Sequence, residues 1–227
     1  MIEDLDFETY LYISKDKFQI FVLNKKKLKN LYSQELKIDH QFDFKDLNIL
    51  LNFLDKNIYK IEKLIGNFIK NIILIVENEK NLKINMSIKK SYETSLKQKS
   101  FSSNLTELKD LFKKNYQDQT IMHMCIINYI IDGKRYSSFD TKLINDYFCI
   151  EVSFIAIDNK LVFAFDSVLE KYQIKIKQYM CGNYINNFIG DTGDEISIIA
   201  NKLRNGLNIN EITIVPKHKE NKGFFEK

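Results

Sequence analysis

The sequence predicts an α+β fold laid out as two successive units. Three observations carry that expectation. Short β-type runs, some alternating and one continuously apolar, are separated by stretches whose apolar residues recur at three- and four-residue steps. A polar, basic, serine-rich stretch, KKSYETSLKQKSFSSN at 89–104, breaks the pattern near the middle. The composition, 44% hydrophobic and 28% charged over 227 residues, is that of a globular chain with room for a sizeable core.

The first unit opens with strands at Tyr10–Ser14, Phe18–Leu23 and Asn30–Ile38, joined by the polar turn Lys15–Lys17 and the basic turn Lys25-Lys26-Lys27. Short connections favour antiparallel neighbours, so the three form a meander. A helix follows. Phe44, Leu47, Leu50, Leu51, Leu54, Ile58, Ile61, Leu64, Ile65 and Phe68 take one face, and Asp46, Asp55, Lys56, Lys60 and Lys63 the other. Asn71–Glu77 (NIILIVE) holds a continuous apolar run, the mark of a strand buried on both sides. Leu82–Ile88 is a further strand of this unit, reached across the turn ENEKN.

After the break, Leu105–Tyr116 reads as a short helix, with Asn104 as its N-cap and Glu107 three positions on, close to a capping box. His123–Ile131 is a strand ending in Asp132-Gly133, a strong hairpin signal. Asp146–Asp158 alternates as a long strand. Asn159–Tyr172 is an amphipathic helix with Leu161, Val162, Phe165, Val168 and Leu169 on one face, and Ile174–Met180 is a last strand. The order α-β-β-α-β implies one sheet covered by two helices. No internal repeat links the two units. In the tail, Gly190, Gly193 and Gly206 interrupt, Ile196–Leu203 is helical and Glu211–Val215 is a strand. KHKENKGFFEK closes the chain as a charged, mobile end.

Charge excludes some functions. Lys and Arg number 34 against 30 Asp and Glu, a net +4, too even for a nucleic-acid partner. Cys125, Cys149 and Cys181 lie far apart and read as reduced core thiols. No run of about eighteen apolar residues occurs, and the acidic start MIEDLDFETY is no secretory signal, so a cytosolic protein is expected. His40, His123 and His218 lack metal-ligand spacing, and no metal is expected. His123, inside an apolar strand, reads as a hydrogen-bonded core residue. Asp191-Thr192-Gly193 matches the aspartic-protease triplet but has no second aspartate, so it reads as a turn. Neither G-x-S-x-G, G-x-x-x-x-G-K-[ST] nor G-x-G-x-x-G is present. The basic clusters Lys25–Lys29 and Lys89–Lys99 read either as solvated turns that guard sheet edges or as contacts for acidic headgroups. No catalytic residue and no cofactor is expected, and the chain is not expected to be an enzyme.

The stretch YLYISKDKFQIFVLN at 10–24 has the outline of a phosphate-gripping hairpin without its gripping residues. Such a turn uses glycine so that backbone N–H groups can approach a phosphate, and a carboxylate nearby to hold the metal. Here the turn has no glycine, and Tyr12 stands where an acid is wanted.

IMHMCIINYIIDGK (121–134), YFCIEVSFIAID (147–158) and the helix to Tyr172 resemble the inserted subdomain 1C of FtsA, the actin-like bacterial protein that ties the FtsZ ring to the membrane. YQIKIKQYMCGNYINNFI (172–189) is similar to the return into the main domain. The opening hairpin, the long helix and residues 71–88 look like the first part of the large subdomain. The resemblance implies an incomplete actin-like (ribonuclease H-like) subdomain over 1–104 and an inserted SHS2-like subdomain over 105–180. A return segment over 181–216 and a mobile tail over 217–227 follow.

Where the family reads D-x-G-[ST], Tyr12, Ser14 and Lys15 form a degenerate phosphate hairpin; where it reads D-x-G-x-G-T-T-D, only Gly190-Asp191-Thr192-Gly193 stands. The residues after Ile189 are too few for the other nucleotide-holding half. The tail NKGFFEK resembles the start of the family's membrane helix, with Lys217, Lys219, Lys222, Phe224 and Phe225 as contacts; two phenylalanines alone give weak or no binding. The function implied is a non-catalytic FtsA-like cell-division adaptor, cytoplasmic, at the inner face of the membrane at the division site. Its partners would be FtsZ or later divisome proteins, with self-association. The alternatives are an actin-like adaptor of a pilus or secretion assembly system and a nucleotide-binding actin-like ATPase.

Overall fold

The structure, a computed structural model, describes residues 6–39, 42–91, 98–137, 146–190 and 193–212, without the side chains of 98–102. In the first sheet, β1 (Phe7–Ile13), β2 (Lys17–Asn24) and β3 (Lys29–Lys37) form the expected antiparallel meander. The helix α1 (Asn48–Ile65) leads from β3 to β4 (Asn71–Val76), which lies parallel to β1. Gly66, at φ 68, takes the left-handed conformation that ends α1 and donates its N–H to the Glu62 carbonyl. Parallel to β4 on its other side is β9 (Lys175–Cys181), giving a five-stranded sheet in the order β3-β2-β1-β4-β9.

The second sheet is antiparallel: β5 (Leu82–Ser91), β8 (Tyr147–Asp158), β6 (Gln119–Ile131) and β7 (Lys134–Tyr136), in that order. Asp132 and Gly133, at φ 47 and 83, form the two-residue turn between β6 and β7, the geometry Asp-Gly favours. One face is covered by α2 (Gln98–Asn115) through Leu108 and Phe112, whose ring stacks on Phe154 at 4.7 Å.

The class is mixed α/β with two sheets. Three strand and helix assignments differ from the sequence reading. The strand at 82–88 belongs to the second sheet, because both flanks of β4 are already occupied by β1 and β9. Its strict alternation, with every second residue half-buried, suits a sheet covered on one face. The strand at 174–180 leaves the expected five-element unit and joins the first sheet, where Met180 and Cys181 are buried. Asn104 is not an N-cap: α2 starts earlier and Asn104 is buried within it.

The first sheet is packed on both faces. Leu11, Ile13, Phe18, Ile20, Leu74 and Val76 pack with α1 and with Phe165, Val168 and Leu169 of α3 (Asn159–Glu170). Tyr10, Tyr12, Phe21, Ile73 and Ile75 pack with α4 (Gly182–Asn186) and α5 (Ile196–Arg204). This explains why Ile72–Val76 is apolar throughout: alternate side chains enter two different cores. Met122, Ile155 and Ile157 of the second sheet reach into the first of these cores, so the two sheets share buried apolar surface. No helix among the described residues is long and apolar enough to cross a membrane.

Candidate functional site

The parallel strands β1, β4 and β9 finish at one end of the first sheet, the end at which open α/β sheets bind ligands. A cavity of about 390 Å³ lies there, lined by Tyr12, Ser14, Asp16, Glu77, Asn186 and Glu195 among others. The Tyr12 ring is buried in the core beneath α4 and α5, at 4% exposure. Its hydroxyl donates to Glu77 Oε2 at 2.6 Å, and Asn186 Nδ2 donates to the same oxygen at 2.6 Å. Burial first, then the hydrogen bond and charge of Glu77, push the Tyr12 phenol well above its ordinary value. It therefore remains an O–H donor across the neutral range.

Glu77 is held in place by backbone. Its N–H donates to the Ile13 carbonyl at 2.8 Å, which carries the β1–β4 contact one residue beyond the strand. Gly182 packs directly against it: a Cβ there would lie 2.7 Å from Glu77 Cβ and 3.1 Å from Glu77 Cα. Only glycine allows this approach of α4 to β4.

The hairpin turn is closed on itself. Ser14 Oγ accepts from the N–H groups of Asp16 at 3.3 Å and Lys17 at 3.1 Å, and donates to the Lys17 carbonyl at 3.1 Å. The Ser14 N–H meets that same carbonyl at 3.0 Å, while the carbonyls of Lys15 and Asp16 accept from Phe42 and Ile38. No residue from 14 to 17 has positive φ, so the turn forms without glycine. The Lys15 ammonium points to Glu79 at 2.9 Å; both side chains are exposed, and such a pair contributes little.

These residues do not fit a magnesium–nucleotide phosphate. The N–H groups of Asp16 and Lys17 are already taken by Ser14 Oγ, and Tyr12 and Asn186 both donate to Glu77 Oε2. One expectation is corrected: the hairpin does not lack nearby carboxylates, since Asp16 and Glu77 line its cavity. Sequence reasoning missed Glu77, Asn186 and Gly182. The available signal was the acid that directly follows a strand buried on both faces, beside β1.

A second polar centre joins the sheets. His123, 1% exposed, accepts the Cys181 N–H through Nε2 at 2.9 Å, so its Nδ1–H faces Glu211 Oε1 at 2.7 Å. Tyr184 donates to Glu211 Oε2 at 2.9 Å and accepts from Asn208 Nδ2 at 2.8 Å. Residues 210–212 lie along β6, with Ile126 N–H to the Asn210 carbonyl and Ile212 N–H to the Met124 carbonyl. His123 is thus the hydrogen-bonded core residue its apolar setting suggests. Lys217, Lys219, Lys222, Phe224, Phe225, His40, His218, Asp191 and Thr192 lie outside the described residues.

No protein-family model matches the sequence, and no curated protein matches it. Solved structures share a loose likeness. The PilM–PilN type IV pilus biogenesis complex aligns over 80% of this chain and 49% of that one, at 6% identity and TM-score 0.49. The cytoplasmic domain of EpsL, an inner-membrane component of the Vibrio cholerae type II secretion system, covers 78% and 56%, at 9% identity and TM-score 0.33. A Bacteroides thetaiotaomicron protein with an actin-like ATPase fold and unknown function covers 83% and 58%, at 15% identity and TM-score 0.33. The chain spans about half the length of these structures.

Proposed function

We propose that this chain is a non-catalytic adaptor of actin-like ancestry, which serves as a rigid docking scaffold in a multi-protein assembly. The observation that carries the reading is the buried Tyr12 hydroxyl on Glu77, with Ser14 capping its own turn, where a nucleotide-binding relative would present free donors and a free acid. None of the three structures named above is described as a cell-division protein, and two are parts of pilus and secretion assemblies. At that level of likeness they only order the partners to be tried. The proposed place of action is the cytoplasm beside the inner membrane face, with pilus or secretion assembly ahead of the division site.

The deciding measurement is thermal unfolding with and without Mg-ATP. A ligand present at a hundred times its Kd stabilises by about 2.7 kcal/mol, and for a chain of this size each kcal/mol moves Tm by roughly 2–4 °C. No shift at millimolar Mg-ATP is expected; a rise of several degrees overturns the proposal. Affinity purification of tagged protein from its own cells should then recover assembly components. FtsZ in that eluate would return the division reading to first place.

A further inference from the structure

We propose that the end of the first sheet remote from the Tyr12 cavity is a surface that docks on an anionic lipid membrane. The parallel strands β1, β4 and β9 start at this end. The turn from Asn24 to Lys29 joins β2 to β3 there, with its Lys25 N–H on the Asp6 carbonyl at 2.9 Å. Lys25, Phe68, Lys70 and Lys177 share the wall of one cavity at this end, and the Lys175 N–H donates to the Lys70 carbonyl at 3.0 Å. The end therefore gathers the exposed side chains of Lys26, Lys27, Lys29, Lys70, Lys175 and Lys177. Its acids already have partners: Asp6 meets Lys25 at 2.6 Å, Glu8 meets Arg204 at 2.6 Å, and Glu62 accepts the Ile69 N–H at 3.1 Å. Glu3 and Asp4 precede the described residues. Except for Lys177, 3.8 Å from Glu8, those six lysines have no ion pair among the described residues. The net charge of +4 hides this asymmetry, because Asp16, Glu77 and Glu195 gather beside Lys17 at the other end.

Two apolar side chains stand out from this basic end. Phe68 is 76% exposed, yet the loop that carries it is tied down: its own N–H donates to Asn67 Oδ1 at 2.9 Å, and Ile69 beside it is buried. Leu28 sits in the lysine turn at φ 47, a left-handed conformation that strains a leucine and suits glycine or asparagine. It is still 40% exposed there, so burial does not account for the choice. A lipid surface accounts for both features. The Phe68 ring and the Leu28 methyls enter the boundary of the acyl chains, while the lysines extend their ammonium groups to the headgroup phosphates. A nucleic acid would take the lysines but leave Phe68 and Leu28 in water. Docked in this way, the chain holds the Tyr12 cavity and its acids away from the membrane. The inference rests on the place of action proposed above, beside a membrane face, and assigns the surface that meets it. The scaffold reading is decided by Mg-ATP and by purification, so either can fail alone.

The test is co-sedimentation of the full chain with vesicles of phosphatidylcholine and phosphatidylglycerol, against vesicles of phosphatidylcholine alone. Binding to the mixed vesicles only is expected, weakening several-fold as salt is raised to the physiological range. The triple variant Lys26→Glu, Lys27→Glu, Lys29→Glu changes exposed side chains and should fold, with apparent affinity lowered about tenfold or more. Phe68→Ser should bind several-fold more weakly at an unchanged Tm, and Leu28→Asn, which suits the turn, should do the same without loss of fold. Phe224→Ser with Phe225→Ser in the full chain should bind like the parent. No binding to the anionic vesicles overturns the proposal, as does a triple variant that binds like the parent. Loss of binding in the Phe224, Phe225 variant assigns the contact to the tail and overturns it too. So does a duplex DNA that displaces the protein from vesicles as readily in Phe68→Ser as in the parent, since the apolar side chains then add nothing.

Discussion

Replacing Tyr12 by Phe isolates the contact on which the functional reading rests. The substitution keeps the buried ring and removes only the hydroxyl that donates to Glu77 at 2.6 Å. A hydrogen bond to a charged group contributes about 1.5–3 kcal/mol, roughly twice a neutral one. Glu77 is half-buried and keeps its bond from Asn186, so the lower end of that range applies, about 1.5 kcal/mol. At roughly 2–4 °C per kcal/mol, the midpoint should fall by about 3–6 °C. In urea the midpoint should move with an unchanged m-value, because the surface exposed on unfolding is the same. Glu77→Gln retains an acceptor for both donors and removes only the charge, so its loss should be about half as large. In a double-mutant cycle with Asn186→Ala, the two effects should be non-additive, since both donors share one oxygen. Tyr12→Phe within about 0.5 kcal/mol of the parent would refute the argument that the phenol is spent on holding the strand ends together.

Further outcomes follow from other parts of the fold. Gly182→Ala places a methyl 2.7 Å from Glu77 Cβ and should destabilise by about 1–3 kcal/mol, as read by chemical unfolding. Glu211→Ala strips partners from the buried His123 Nδ1–H and from Tyr184, at a cost of about 1–3 kcal/mol. Hydrogen exchange should report it as faster exchange at Ile126 and Ile212, whose N–H groups bridge β6 and the 210–212 segment. Burial by itself would raise the Glu8 carboxyl, but the Arg204 charge and the hydrogen bonds from Tyr10 and Arg204 outweigh it and hold the group below its ordinary value. Its contribution to stability is therefore present above the ordinary carboxylate pKa and lost as pH falls through the lowered one. Unfolding between pH 5 and 2 should show this loss in the parent and a flatter profile in Glu8→Gln.

Local patterning reaches far into this fold because most elements obey one period. The 3.6-residue spacing of Leu50, Leu54, Ile58 and Ile61 places α1, and the doubly buried NIILIV places β4 at the centre of a sheet. The Asp-Gly turn places the β6–β7 hairpin. What local pattern does not carry is partner choice. Leu82–Ser91 pairs with Tyr147–Asp158, and Lys175–Cys181 pairs with Asn71–Val76 about a hundred residues upstream. A polar turn after β4 suggests a hairpin, yet the competition for the flanks of β4 is decided by β1 and β9. The same limit governs the site. Tyr12, Ser14 and Lys15 stand out as odd residues in a hairpin, but the meaning of Tyr12 depends on Glu77 and Asn186, each far away in sequence.

That non-local dependence also bears on what the chain is built to do. A loop that captures phosphate keeps N–H groups and a carboxylate exposed until the ligand arrives, at a cost in stability of the free protein. Here Ser14 ties down its turn, Tyr12 and Asn186 converge on Glu77, and Gly182 brings α4 against that acid. On the other side of β9, His123 accepts the Cys181 N–H while its other nitrogen engages Glu211, so the strand that ends at the site is fixed to the second sheet as well. A nucleotide switch needs a bistable element that a ligand can bias. These contacts instead reinforce a single arrangement, the property the proposed docking scaffold would need for its surfaces to meet partners at fixed relative positions.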